Sequence, residues 1–346
     1  MILPQPLSET PNETSSKDAF DELAILDDES TNPSFGCKPE LRPIREYLRY
    51  GVVKLDKPSG PTSHEVVAWV KRLLQVEKAG HSGTLDPAVT GLLPIGLDQS
   101  TKSLSVLLLQ PKEYLAVIRL HEQIDENSLN RVFSEFHGPI YQRPPQRSSV
   151  KRMTRTRHVY EMDILERNER LLLVRVLCEA GTYIRKLAYD MGEALGPGAT
   201  MVELRRTKVS HMSEEDGFVR LHDLAYAKHL LDEKGDESPL RSLVHPVEYV
   251  TRLMKSLIIR DSAVDAVCHG AQLAVPGVLR ISPNMEEGDK VAIYTIKGEL
   301  IGIGESRMRS DDVLSAEKGI VASPSRIIMK AETYPRLWKQ KSPVEN

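Results

Sequence analysis

Cysteine is scarce in this sequence: Cys37, Cys178 and Cys268 are three in 346 residues, widely spaced. An odd, scattered set makes neither a disulfide framework nor a metal cluster. The ten histidines form no H-x-x-E-H or H-E-x-x-H pattern, so no metal is expected. No apolar run approaches the roughly 18 residues of a membrane span. No basic region followed by an apolar stretch opens the chain, so an intracellular protein without membrane contact is expected. Aromatic residues make up only 5% of the chain, yet hydrophobic residues reach 40% and charged ones 27%, which suits a globular protein with a substantial core. The length fits two domains and a tail.

An excess of base is also missing, the formal net charge being −3. That balance is unevenly spread. Residues 1–35 hold eight acids (Glu9, Glu13, Asp18, Asp21, Glu22, Asp27, Asp28, Glu29) against Lys17, which leaves the remainder at +4. Rich in Ser, Thr, Asn and acid, this stretch has too little apolar surface to order itself, and a disordered, solvated tail is expected over 1–35.

From Glu46 the pattern turns globular. Tyr47 to Leu55 reads as a strand. Thr62 and Glu65 have capping-box spacing ahead of Val66, Val67, Val70, Leu73 and Leu74, which predicts a helix over about 63–75 with Trp69 in its apolar stripe. Tyr114–Leu120 and Leu171–Cys178 read as buried strands. A turn at 179–182 then leads into an amphipathic helix marked by Ile184, Leu187, Ala188, Met191 and Leu195, which sets Tyr183 and Arg185 at a strand-to-helix junction. Asp232–Val247, with Pro239 and Pro246, reads as a linker. Beyond Arg252 the runs Ser256–Ile259, Val278–Ile281, Lys290–Thr295, Leu300–Ile303 and Ile327–Met329 are short strands, with Lys297-Gly298 as a hairpin turn: a small β-rich domain.

Two segments carry chemistry. In Gly80-His81-Ser82-Gly83-Thr84-Leu85-Asp86-Pro87 the glycines permit close backbone approaches and Pro87 biases Asp86 toward an extended conformation, so the loop presents a carboxylate. Residues 142–157 hold six bases and no acid, alternating with Ser and Thr hydroxyls, a composition suited to phosphate contact. Arg143, Arg147, Lys151 and Arg152 are its candidate contacts.

The Asp86 loop, with Lys54-Leu55-Asp56-Lys57-Pro58-Ser59-Gly60-Pro61-Thr62-Ser63 before it and Lys112-Glu113-Tyr114 and Gly181-Thr182-Tyr183-Ile184-Arg185 after it, resembles the TruB/dyskerin family of RNA pseudouridine synthases. The resemblance covers about residues 46–335. It implies an α+β fold: a pseudouridine-synthase catalytic domain with a mixed, largely antiparallel sheet and flanking helices, then a small β-barrel-like PUA domain, an RNA-binding fold that Val267–Val278 resembles. The implied boundaries are 36–249 for the catalytic domain with its N-terminal extension and 250–335 for the PUA domain, with a C-terminal tail at 336–346. Carried over residue by residue, Asp86 is the catalytic aspartate, Tyr114 the ring beneath the target base, Tyr183 the active-site tyrosine, Arg185 the partner of the aspartate and Leu204 an apolar wall of the uracil pocket. The basic stretch is then the thumb loop over substrate RNA. The reaction is an isomerisation without net redox change or hydrolysis, so no cofactor is implied.

Arg143-Pro144-Pro145, with Ser149-Val150-Lys151-Arg152, is more similar to the dyskerin branch than to bacterial TruB. That branch implies a catalytic subunit of box H/ACA ribonucleoprotein, working on rRNA and other targets with a guide RNA and small accessory proteins, cytoplasmic in an archaeal form and nucleolar in a eukaryotic one. A stand-alone synthase for uridine 55 of tRNA is the alternative within the family. A non-catalytic RNA-binding scaffold is the alternative outside it.

Overall fold

The computed structural model describes residue 20, residues 22–143 and residues 153–336. These form two compact units: residues 36–253 with 326–329, and residues up to 35 with 254–325 and 330 onward. Arg147, Lys151 and Arg152 lie outside the described residues. No helix among the described residues is long and apolar enough to cross a membrane.

After β1 (Ala24–Ile25), the larger unit runs α1 (Ile44–Arg49), β2 (Gly51–Lys57), α2 (Ser63–Leu74), β3 (Ala79–His81), β4 (Thr90–Leu97), α3 (Ser105–Leu108), β5 (Lys112–Leu120), α4 (Glu126–Glu135) and β6 (Gly138–Gln142). It continues with β7 (Arg155–Asn168), β8 (Leu171–Cys178), α5 (Ile184–Leu195), β9 (Ala199–Val209), β10 (Met212–Ser213), α6 (Leu221–Lys234), α7 (Ser238–Leu243), β11 (His245–Pro246) and α8 (Glu248–Thr251). The strands join in the order β11-β2-β4-β9-β5-β8-β7-β6, with β3 on β4 and β10 on β9. Only the β4–β9 pair is parallel among them, so the sheet is mixed and largely antiparallel.

Helices cover it in two large cores and a smaller one around Leu107 of α3 and Val250 of α8. One core joins Ala116 and Ile118 of β5 and Leu172, Val174 and Val176 of β8 to Leu129 and Phe133 of α4 and Leu187, Ala188 and Met191 of α5. The other joins Val53 and Leu55 of β2 and Leu93 and Ile95 of β4 to Val66, Val70 and Leu74 of α2, Leu224 of α6 and Leu240 of α7. The α2 start is a reciprocal cap: Glu65 N–H donates to the Thr62 hydroxyl at 3.2 Å and Thr62 N–H donates to Glu65 Oε2 at 2.7 Å. Such a cap contributes about 1 kcal/mol.

Four expectations need correction here. Tyr47–Arg49 belongs to α1, because Pro43 stands at its N-cap and the Tyr47 hydroxyl donates 2.7 Å to Val244 O. Asp232–Val247 is no linker: its Leu240 and Val244 are buried, and His245–Pro246 pairs with Gly51–Val52. Trp69 is 39% exposed, on the outward face of α2 rather than in its buried stripe. The last strand among the described residues ends at Ile327, short of Met329.

The smaller unit contains β12 (Lys255–Ile259), α9 (Asp261–Cys268), β13 (Leu273–Ala274), β14 (Val278–Ile281), β15 (Lys290–Thr295), β16 (Leu300–Ser306), α10 (Ser310–Ser315) and β17 (Ile320–Ile327). Its sheet order is β1-β14-β12-β15-β16-β17-β13. The segment expected as disordered acidic tail is therefore structured over 22–35. Ala24–Ile25 extends the sheet beside Arg280–Ile281, Arg260 ion-pairs with Asp27 and Glu29, and Thr31 Oγ1 and Asn32 N–H donate to the buried Asp261 carboxylate at 2.9 and 2.8 Å. Composition alone denied this segment order; Arg260 and Asp261 at the start of α9, far along the sequence, supply the missing partners.

Candidate active site

Asp86 sits on the loop between β3 and β4, and nearly every backbone position around it is tied down. Gly83 carries a φ of +89°, a conformation that glycine accepts freely. Its carbonyl accepts from Arg206 Nη2 at 3.1 Å. Ser63 Oγ, buried at the start of α2, donates to Leu85 O at 3.0 Å and accepts from Leu85 N–H at 2.9 Å. Gly60 N–H donates to Pro87 O at 2.9 Å. The Lys57 ammonium, fully buried, donates to the carbonyls of Pro58, Pro87 and Val89, each at 2.9 Å. Burial pushes the Lys57 pKa down while the Asp86 carboxylate opposes that shift. Gly80, by contrast, lies within β3 opposite Gly96 and takes no part in the turn.

The one carboxylate this loop leaves exposed is Asp86, which is ion-paired with Arg185 in the first turn of α5. Both side chains are more than half exposed, at 57% and 58%. The site is thus open to water rather than dry, and the pair is correspondingly screened.

Tyr183 is the N-cap of α5, held by Gln142 of β6: Tyr183 N–H donates to Gln142 Oε1 at 2.9 Å and Gln142 Nε2 donates to Tyr183 O at 3.1 Å. The turn before it is closed by Thr182 Oγ1 donating 2.7 Å to Glu179 O. Glu179 in turn binds Arg157 Nη1 at 2.9 Å, so one of the six bases in the basic stretch is neutralised at the foot of β7. Arg143 is exposed at the end of β6.

Tyr114 lies on β5 beside Leu204's strand, with Arg206 as its register partner across β5–β9. Tyr114 and Leu204 are partly buried and pack against the same apolar core. Burial raises the Tyr114 pKa, so the phenol is held neutral. The ion pair joins Asp86 to Arg185, two positions after Tyr183 at the start of α5. Arg206, opposite Tyr114 across β5–β9, also holds the Asp86 loop through Gly83 O.

Sequence reasoning missed Lys57, Ser63, Gln142 and Arg206. Lys57 and Ser63 stand in the quoted Lys54–Ser63 motif, but nothing in their spacing reveals that their partners are backbone atoms of a loop more than twenty positions later.

Comparison with known proteins finds matches along most of the chain. Residues 71–184 match the TruB family pseudouridylate synthase N-terminal domain, and 185–251 the tRNA pseudouridylate synthase B C-terminal domain. Residues 15–67 match a DKCLD domain and 255–328 a PUA domain. A probable tRNA pseudouridine synthase B of Methanopyrus kandleri is 51% identical over 91% of this chain and 93% of its own length. One of Methanothermobacter thermautotrophicus is 49% identical over 91% and 97%. Among solved structures, a chain of an H/ACA RNP bound to a substrate RNA containing 2'-deoxyuridine superposes with a TM-score of 0.85 at 44% identity, over 92% of this chain and 97% of that one. A chain of a Cbf5-Nop10-Gar1 complex gives 0.85 at 46%, over 91% and 96%. Similarity of this depth along nearly the whole length means that the chain belongs to the TruB/dyskerin family of pseudouridine synthases, isomerases that act on RNA.

Proposed function

We propose that this chain converts uridine to pseudouridine as the catalytic subunit of a guide-RNA-directed particle of the box H/ACA kind, with Asp86 as its catalytic carboxylate. The observation that carries the assignment of Asp86 is the cage: five backbone tethers from Lys57, Ser63 and Arg206 immobilise the loop and leave one ionised group, paired with Arg185, to project. The reaction breaks the N1–C1′ bond of uridine, turns the freed uracil and forms C5–C1′, with the C5 proton finally passing to N1. One carboxylate can serve either by attacking the nucleoside covalently or by removing a ribose proton to give a glycal. In both routes the base must leave the RNA stack and be retained.

Tyr114 gives the flipped base a face, Leu204 a wall, and Tyr183 a hydroxyl for the late proton transfer. Because Asp86 and Arg185 are half exposed in the free chain, the arriving nucleotide displaces water from around them and strengthens their attraction where charge develops. The exposed Arg143 together with Arg147, Lys151 and Arg152 would lie along the RNA backbone. The guided assignment draws on the similarity to a chain of an H/ACA RNP; the names of the curated relatives favour a second activity, isomerisation of tRNA without a guide. The protein is expected to work in the cytoplasm of an archaeon.

The experiment is pseudouridine formation by purified protein on tRNA, and on a matched target with an H/ACA guide RNA and accessory proteins, with Asp86→Asn as control. Product confined to the guided reaction supports the particle subunit, and product on bare tRNA supports the autonomous enzyme. Turnover by Asp86→Asn at the wild-type rate would overturn the assignment of Asp86.

A further inference from the structure

We propose that Arg206 is a positioning residue for the isomerisation, a buried clamp that fixes the Tyr114 ring against the Asp86 loop. The inference rests on the roles given above to Asp86 and Tyr114.

Arg206 is 1% exposed and is among the largest fully buried side chains of the chain. Its Nε donates 2.8 Å to Leu92 O and its Nη2 donates 3.1 Å to Gly83 O. Gly83 and Leu92 bracket the Asp86 loop, so a single planar guanidinium spans both of its ends. The same group belongs to the residue directly opposite Tyr114 across β9 and β5, and its charge acts on the Tyr114 phenol. A guanidinium offers donors only, so toward the phenol oxygen Arg206 can act only as a donor.

The Arg206 main chain is equally confined. Gly91 of β4 lies against it so closely that a Cβ at position 91 would stand 2.2 Å from Arg206 O. Both the backbone and the tip of Arg206 are therefore immobile, and they connect β4, β9 and β5 at the level of the reacting groups.

No carboxylate among the described residues pairs with this buried cation, and burial disfavours its charged form. A neutral amide could hold one carbonyl without that penalty. What only arginine supplies is a plane of fixed donors, two of which hold the carbonyls at the ends of the Asp86 loop while the group stands opposite Tyr114. The arrangement sets the spacing between the ring beneath the base and the loop that carries the carboxylate, which is the spacing a base must match as it turns between N1 and C5 attachment.

The test uses the full-length protein with whichever RNA, guided or bare, the wild type converts, and measures the single-turnover rate at saturation alongside the RNA dissociation constant. Arg206→Gln is expected to slow the rate about 100-fold with affinity unchanged within about twofold, and Arg206→Lys to recover roughly tenfold of that loss. Tyr114→Phe, which keeps the ring and removes the acceptor, is expected to slow the rate about tenfold and to add little on top of Arg206→Gln.

A wild-type rate in Arg206→Gln overturns the clamp, as does a lysine variant no better than the glutamine one, or an affinity loss that matches the rate loss. If the arginine variants do not fold, Tyr114→Phe decides: an unchanged rate overturns the tie, and a slower one at unchanged affinity supports it. Asp86→Asn in the same assay separates the two levels. Activity there removes the site assignment itself, whereas an inactive Asp86→Asn beside a fully active Arg206→Gln removes only the clamp.

Discussion

Gln142 and Tyr183 form a two-way hydrogen-bonded pair: the side-chain amide of one donates to the carbonyl of the other, 3.1 Å, and accepts from its N–H, 2.9 Å. The amide thereby mimics a strand neighbour for a residue that has none, and it joins the last turn of β6 to the residue that opens α5. Because Arg185 follows two positions later, the strand that leads into the basic stretch is mechanically connected to the partner of Asp86.

Gln142→Ala removes the acceptor of Tyr183 N–H and one of two donors to its carbonyl, which Leu187 N–H also reaches at 2.9 Å, in a region where Gln142 is 2% exposed. We expect a loss of about 1 kcal/mol in stability, read by urea unfolding, because a lost intramolecular hydrogen bond costs about that much. Turnover should fall by roughly tenfold with little change in RNA affinity, since a misplaced α5 start costs orientation rather than binding. A variant as active as wild type would show that the α5 start is held by other means.

The basic stretch makes a salt-dependent prediction. Arg147, Lys151 and Arg152 replaced together by alanine should weaken RNA binding and lower the slope of log K against log salt by about 2 to 3, one phosphate per charge removed. Binding titrations from low to high salt measure it. Arg157 is not included, because Glu179 already neutralises it.

Acid should unfold the larger unit early. His211 and His245 pack against Tyr249, with ring centroids at 4.9 and 4.4 Å, and burial together with the cations of Lys54 and Arg252 pushes both histidines down to about 4, Asp216 opposing. The unfolded chain binds these protons from its ordinary value of 6.5, so below that pH the unfolded state takes up more protons and stability falls, until both states are protonated near pH 4. The loss is on the order of 3 kcal/mol per histidine. Denaturant midpoints between pH 7 and pH 4 give the curve, and His211→Asn with His245→Asn should flatten it.

Thr31→Ala is expected to destabilise the smaller unit by about 1–2 kcal/mol, because it removes one of the donors to the buried Asp261 carboxylate. Calorimetry of the full chain should show the transition of that unit shifted down while the other stays in place. Equal shifts in both would mean that the contact is not local to the smaller unit.

Some of this was legible in the residues before any coordinates. The α2 start could be read because Thr62 and Glu65 are both the signal and the structure, three positions apart. The Asp86 loop could be read because Gly83 and Pro87 constrain their own backbone. Lys57, Arg206 and Gln142 could not, since each works by reaching carbonyls or amides 30 to 123 positions away, and a carbonyl carries no residue identity for a pattern to record. The acidic segment failed for a related reason: Asp27 and Glu29 look like solvated charges until Arg260 is placed beside them. Asp232–Val247 failed because Pro239 begins α7 at a position where a helix accepts proline, rather than breaking structure.

The sheet of the smaller unit takes an edge strand from Ala24–Ile25 and its neighbour from Val278–Ile281. On the ribosome the first of these emerges roughly 250 residues ahead of the second, a wait of about ten to fifty seconds at ordinary synthesis rates. Through that interval the acidic segment has no Arg260 to meet. The larger unit has all of its own strands and helices to assemble meanwhile, so the last part of the molecule to close is the one whose first strand was made first.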